Sequence, residues 1–179
     1  LHSMSIAALY PALRPLLFAM DAETAHRLTI NALKLLPHKP ALIDDPSLRV
    51  TLWDRHFPNP LGLAAGFDKN AEVIAPMMGF GFGFVEVGTV TPKPQDGNPR
   101  PRVFRNRANG AVINRMGFPN IGMNAFKSNI EKFLETRPRP ASLVGINIGM
   151  NKTQTDPAKD YCLLVRTLGP FADYLTVNI

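Results

Sequence analysis

Apolar positions recur at helical spacing from the outset: Ile6, Leu9, Tyr10, Leu13, Leu16, Leu17 and Met20 across residues 5–20. Pro11 and Pro15 fall inside that stretch. Each removes a backbone donor, so the pattern predicts two short helical pieces or one kinked helix. Asp21 has the character of an N-cap for a second helix, with Glu23 in its first turn, where negative charge is favoured. That helix is expected to show Ala25, Leu28, Ala32, Leu35 and Leu36 on one face and to stop near Leu36, ahead of Pro37. The two helices read either as a packed appendage or as elements lying on a membrane surface, since the first is greasy and sparsely charged.

After a Pro-containing connection from Pro37 to Pro46 the period changes. Residues 49–53 and 56–57 suggest a short hairpin around Asp54-Arg55. Strand-like stretches then appear at 61–65, 84–87, 143–148 and 174–179, separated by helix-like stretches at 71–78, 121–134 and 158–168. The strands are nearly continuous apolar runs, as expected when helices cover both faces of a sheet. The alternation predicts an α/β fold with parallel strands. It divides the chain into a helical extension at 4–40 and a strand–helix domain at 45–179. The stretch between Thr91 and Asn114 is rich in Pro, Gly, Asn and Arg and too long for an ordinary loop between strand and helix. Gly79, Gly81 and Gly83 superficially resemble a dinucleotide fingerprint, but they sit between a helix and a strand, the reverse of what that motif needs. They read as a tight turn.

Composition narrows the classes. The chain has 179 residues, 45% of them hydrophobic and 19% charged, an ordinary globular balance. No apolar run approaches the roughly 18–20 residues of a spanning helix. The one cysteine, Cys162, has no internal disulfide partner and points to a reducing compartment. No Cys/His cluster has zinc spacing, and the four histidines (His2, His26, His38, His56) all precede the strand ends, which leaves no Ser-His-Asp arrangement. Leu1 to Ser3 ahead of Met4 read as an extraneous leader, and no targeting segment is evident. The net charge of +6 is concentrated in residues 101–150, which hold eight basic and two acidic residues, among them Arg102, Arg105, Arg107 and Arg115. Such a cluster suits a phosphate, a carboxylate or acidic lipid headgroups, or is simply a solvated loop. Basic residues interleaved with aromatics are missing, which argues against nucleic acid.

Something hydrophilic sits where each strand finishes. The first ends in Ala65-Gly66-Phe67-Asp68-Lys69, the second in Gly88-Thr89, the third in Asn147-Ile148-Gly149 and the fourth in Asn178. Asn and Lys are poor strand residues, so their placement at one rim points to a site. Amides and a hydroxyl can hydrogen-bond the carbonyls and N–H groups of a heterocycle. Ala65 and Gly66 let a flat ring approach the backbone, and a lysine beside it can stabilise negative charge in a reduced ring.

Five stretches in order then resemble one enzyme family: Asn59 to Lys69, Glu86 to Pro92, Pro101 to Arg105, Asn114 to Phe118 and Gly145 to Gly149. They are similar to dihydroorotate dehydrogenase. Thr24-Ala25-His26-Arg27-Leu28 in the helical extension is similar to the class 2, quinone-dependent branch. The resemblance covers the chain from about Tyr10 to Ile179. It implies a (β/α)8 TIM barrel, of which about four β/α units are present, binding FMN and oxidising dihydroorotate to orotate in pyrimidine synthesis. On this resemblance Ala65, Gly66, Phe67, Asp68, Lys69, Thr89, Asn147 and Asn178 contact FMN. Lys69, Asn114, Arg115, Met116, Gly117, Phe118 and Asn178 hold the substrate. His26 and Arg105 match the quinone end of a tunnel formed with the helical extension. The implied chemistry is proton abstraction from C5 by a serine base, with hydride transfer from C6 to flavin N5. Ubiquinone or menaquinone arriving from the bilayer reoxidises the flavin. The resemblance implies a peripheral enzyme on the cytoplasmic side of a bacterial inner membrane, and no metal.

In the family the strand ending at Asn178 runs on into the segment that carries the serine, so no catalytic base is expected within this chain. The chain reads as part of a longer enzyme. Two alternatives stand beside that reading: a class 1-like flavin barrel with a soluble acceptor such as fumarate or NAD, and an inactive half barrel that binds an anion or a membrane.

Overall fold

The computed structural model describes residues 6–36, 45–138 and 140–179. Pro37 and the connection after it lie outside the described residues, while the second helix ends at Lys34 with Leu35 as its C-cap, two residues short of the expected stop near Leu36. Two helices come first, α1 (Ile6–Ala19) and α2 (Ala22–Lys34). α1 is a single helix with Pro11 and Pro15 both inside it, the one-helix alternative of the two expected. Its final carbonyls are taken up from elsewhere in the chain: Arg105 Nη1 donates to Met20 O at 2.8 Å and Arg107 Nη2 to Phe18 O at 2.7 Å. Helix-end carbonyls have no intrahelical partner and carry the negative end of the dipole, so guanidinium groups suit them.

α2 begins as its sequence dictates. The Asp21 carboxylate accepts from Thr24 N at 3.0 Å, and that contact holds the carboxyl below its ordinary pKa. Its buried face matches the expected one only at Ala25 and at Leu36, which packs against the core. Ala25, Ile30 and Leu33 are inside, whereas Leu28 and Leu35 are 49% and 86% exposed, and Ala32 is exposed as well. Ion pairs fix this rotation. Glu72 accepts from Arg27 at 2.8 Å and Lys34 at 2.5 Å, and Glu23 meets the buried Arg102 at 2.7 Å. The stripe Leu28, Ala32 and Leu35 is therefore left outward, on the same two-helix layer as exposed Tyr10, Leu13 and Leu16 of α1.

A hairpin follows, β1 (Val50–Leu52) and β2 (Arg55–Phe57), with Leu52 opposite Arg55. The turn is thus Trp53-Asp54, one residue earlier than expected, and both residues have positive φ, 52° and 56°. That is the twist a two-residue hairpin requires. The main sheet then assembles from β3 (Gly62–Leu63), β4 (Phe84–Val90), β7 (Leu143–Ile148) and β8 (Tyr174–Val177), all parallel and in the order β3-β4-β7-β8. Between them run α3 (Ile74–Gly79), α4 (Met123–Leu134) and α5 (Pro157–Leu168). The expected α/β alternation with parallel strands is present.

Alternate strand residues face the helices. Val85, Val87, Val144, Ile146 and Ile148 are at most 1% exposed and join Met78, Phe126, Ile130, Leu164 and Leu168 in one core. Each such side chain contributes about 1.5–3 kcal/mol of burial. The long stretch after β4 is not structureless. It holds a second antiparallel hairpin, β5 (Val103–Asn106) with β6 (Ala111–Asn114), which packs beside α2.

Candidate functional site

The strand ends converge. Lys69, Thr89, Asn147 and Asn178 line one cavity of about 610 Å³, together with Ala65, Gly66, Asn114, Met116, Gly117 and Phe118. Its geometry starts in the ladder. Gly88 pairs with Asn147 and Val90 with Ile148, so Thr89 is an extra, bulged residue between them. A bulge re-aims a side chain, and here the Thr89 hydroxyl donates to Asn147 Oδ1 at 2.6 Å while accepting from Asn178 Nδ2 at 3.0 Å. Asn178 itself is held by its backbone. Its N–H donates to Ile148 O at 2.9 Å, and its carbonyl accepts from the Tyr161 hydroxyl of α5 at 2.6 Å.

Lys69 reaches the same cavity from the other side, its ammonium donating to Gly66 O. Burial pulls its pKa below the ordinary value, partly offset by the charge of Glu23. An added Cβ at Gly66 would meet nothing within 4 Å, so the backbone there opens on free space. The loop from Asn114 to Phe118 closes the cavity and is tightly seated: Gly117 has φ 70°, and a Cβ on it would lie 2.8 Å from the Asn98 side chain. Only glycine fits there.

Three of the expected residues turn away from this cavity. The Asp68 carboxylate is fully buried and accepts from Glu72 N at 2.8 Å and Val73 N at 2.7 Å, tying down the approach to α3. Burial raises its pKa. Phe67 packs against the core and stands edge-on to the His26 ring, 5.4 Å between centroids. Arg115 lies outward, donating to Pro101 O at 3.1 Å. These residues place the backbone of the cavity wall and do not contribute side chains to it.

His26 and Arg105 line different cavities. His26 faces one of about 510 Å³ between α2 and the β5–β6 hairpin, and its Nε2 donates to Phe67 O at 2.6 Å. Arg105 lines one of about 500 Å³ at the end of α1, its guanidinium 5.0 Å from the Phe18 ring centre. Val112 belongs to both walls. The His26 cavity shares Lys69, Asn114, Met116 and Pro119 with the strand-end cavity, so the two adjoin beneath α2.

Sequence reasoning missed what holds the loops. Gln95 Nε2 donates to Gly117 O at 3.0 Å, Asn98 Nδ2 to Arg115 O at 2.8 Å, and Asn151 Nδ2 to Lys93 O at 2.9 Å. The available signal was the density of amide residues in a segment read only as loop. Arg102 was an anion candidate. Its guanidinium is instead occupied by Glu23 and by the Asn98 carbonyl at 3.0 Å.

Burial, foremost, holds the His26 imidazole below its ordinary pKa, with the Phe67 contact opposing. As pH falls through about 6.5 the unfolded chain takes up a proton that the folded chain refuses, so stability is full above that value and declines below it. Denaturant unfolding at pH 7.5 and 5.5 should therefore show a smaller loss on acidification for His26→Asn than for the parent. Equal losses would remove His26 from the balance.

Comparisons with known proteins agree on one family. The family model described as dihydroorotate dehydrogenase matches residues 47–179. The chain is 53% identical over 171 residues to the dihydroorotate dehydrogenase (quinone) of Novosphingobium aromaticivorans, covering 95% of this chain and 49% of that protein. It is 54% identical over 166 residues to the protein of the same name from Rhodospirillum rubrum, covering 92% and 44%. Among solved structures it resembles ligand-free DHODH from Eimeria tenella, with a TM-score of 0.81 and 42% identity over 88% of this chain and 45% of that one. The complex of the Eimeria tenella protein with ferulenol gives 0.79 and 44% over 87% and 43%. The chain spans about half the length of the curated relatives it matches.

Proposed function

From a chain that belongs to the dihydroorotate dehydrogenase family, we propose a part of a quinone-dependent enzyme: four β/α units of a (β/α)8 barrel that hold FMN and dihydroorotate, with α1 and α2 as the quinone-side extension. The observation that carries this reading is the convergence of Lys69, Thr89, Asn147 and Asn178 on one cavity that adjoins a second cavity beneath α2. The residues fit a flavin on chemical grounds. The open backbone face at Gly66 admits a flat ring, the Thr89, Asn147 and Asn178 groups match a heterocycle's donors and acceptors, and Lys69 supplies positive charge beside it. When bound, FMN supplies a two-electron acceptor for the hydride leaving C6 of dihydroorotate.

The chain's own residues have separable tasks. Lys69 and the amides of Asn114 and Asn178 hold the substrate's carboxylate and ring, a small anion that needs several donors once out of water. The seated loop from Asn114 to Phe118 excludes solvent and fixes the distance between substrate and flavin ring. His26, fixed by Phe67 O, faces the second cavity as a neutral imidazole, a surface suited to an uncharged quinone head.

No described helix is long and apolar enough to cross a membrane. The exposed leucines of α1 and α2 instead favour an interfacial position, with the molecule peripheral on the cytoplasmic side of a bacterial inner membrane. The route for a membrane quinone then runs between these helices and the β5–β6 hairpin.

Two experiments test the proposal on the protein that carries this sequence. Lys69→Ala should lower kcat/KM for dihydroorotate by about 100-fold, the cost of removing a charge-stabilising donor from a water-excluded site; an unchanged rate would take Lys69 out of it. Deleting residues 6–36 should abolish quinone reduction and vesicle association while FMN stays bound. Undiminished quinone turnover would contradict the role given to the helices.

A further inference from the structure

One acidic side chain, Glu86, lines the floor of the strand-end cavity, on the sheet face opposite the helix-packed core. Glu86 on β4 stands level with Gly145 on β7 and Tyr174 on β8, two residues before Gly88, Asn147 and Thr176 on the same strands. Three donors meet its carboxylate: Asn147 Nδ2 at 2.8 Å, the Thr176 hydroxyl at 3.0 Å and the Tyr174 hydroxyl at 3.3 Å. Gly145 makes the last contact possible. A Cβ there would lie 2.4 Å from the Tyr174 hydroxyl oxygen, so only a bare backbone lets the ring cross β7 to Glu86. Burial, and then the neighbouring carboxylate, push the Tyr174 hydroxyl above its ordinary pKa, which keeps it a donor.

A carboxylate only accepts. Asn147 must therefore turn its NH2 toward Glu86 and its oxygen toward the cavity, where that oxygen accepts from the Thr89 hydroxyl at 2.6 Å and from Asn178 Nδ2 at 3.3 Å. The Thr89 hydroxyl therefore donates to Asn147 and accepts from Asn178. The direction of every hydrogen bond in this chain follows from the charge at its base. We infer that Glu86 is a positioning residue for the flavin site: through Asn147 it sets which atoms of Thr89, Asn147 and Asn178 remain free as donors and acceptors toward the ring. The inference rests on the FMN reading proposed above and names a residue that need not touch the ring.

Glu86→Gln is nearly isosteric but offers one acceptor oxygen to three donors, so the amide chain above it loses its single polarity. Glu86→Asp keeps an acceptor-only group. On the FMN-loaded protein and its flavin-stripped form, Glu86→Gln should weaken FMN binding about tenfold, the size of one lost charge-assisted hydrogen bond. It should also shift the visible absorption band of bound flavin, while Glu86→Asp stays within about threefold of the parent with the parent's spectrum. Fluorescence titration gives the affinity and absorption the ring environment, neither requiring turnover. Glu86→Gln matching the parent in both, or Glu86→Asp weakening FMN as much as Glu86→Gln, overturns the inference. Should Glu86→Gln fail to fold, Glu86→Asp decides alone, tight binding supporting it and weak binding overturning it. A parent protein that binds no FMN would defeat the functional reading instead.

Discussion

The register of the parallel ladder joining β4, β7 and β8 is the constraint on which the rest depends. Gly88, Asn147 and Thr176 stand level in it. A slip of one residue would carry Asn147 into the helix-packed layer and put Ile146 or Ile148 at the cavity. The slip is opposed by the other face, where Val85, Val87, Val144, Ile146 and Ile148 are sealed against α4, α5 and their neighbours. The same alternation thus builds the core and aims the polar groups. It also explains how a poor strand former is tolerated at β7: the Asn147 amide oxygen is taken up by Thr89 and Asn178 and one of its N–H groups by Glu86, which leaves the other N–H free among the described residues.

Much of this was legible in the chain because it depends on local pattern. β7 is expected at 143–148 and lies at Leu143–Ile148, since a run apolar except for Asn147, bounded by turn signals, leaves little freedom. α5 starts one residue before its expected position because Pro157 is well suited to a first helical turn. Other features depend on tertiary contacts that no window of sequence contains. The expected face of α2 holds in part: Ala25 is buried and Leu36 packs against the core, but Leu28, Ala32 and Leu35 point outward and Ile30 and Leu33 take the inside, with Arg102 and Glu72, far away in sequence, pairing with the helix's charged residues. α1 runs through Pro11 and Pro15 as one helix, and the carbonyls at its C-terminal end are met by Arg105 and Arg107 from far along the chain. At the site, the side chains of Lys69, Thr89, Asn147 and Asn178 gather as their strand-end positions suggested. Asp68 and Phe67 share that stretch of sequence but turn inward, because the chain between β3 and α3 needs a buried anchor.

The basic excess of residues 101–150 has a structural side that composition alone conceals. Arg102, Arg105 and Arg107 hold the two helices onto the β5–β6 hairpin through Glu23 and through helix-end carbonyls. The same hairpin ends at Asn114, which opens the loop that closes the strand-end cavity. Helices and site are therefore joined by one short antiparallel ribbon. A change at the two-helix layer has a direct mechanical route to the strand-end cavity.

The central claim is that the strand ends hold a flat cofactor, and hydrogen exchange of backbone amides with and without FMN tests it most directly. The account predicts that FMN slows exchange in the segments spanning residues 65–69, 88–91, 114–118 and 147–149, and leaves the β1–β2 hairpin unchanged. Slowing confined to other segments, or none at saturating FMN, would contradict it.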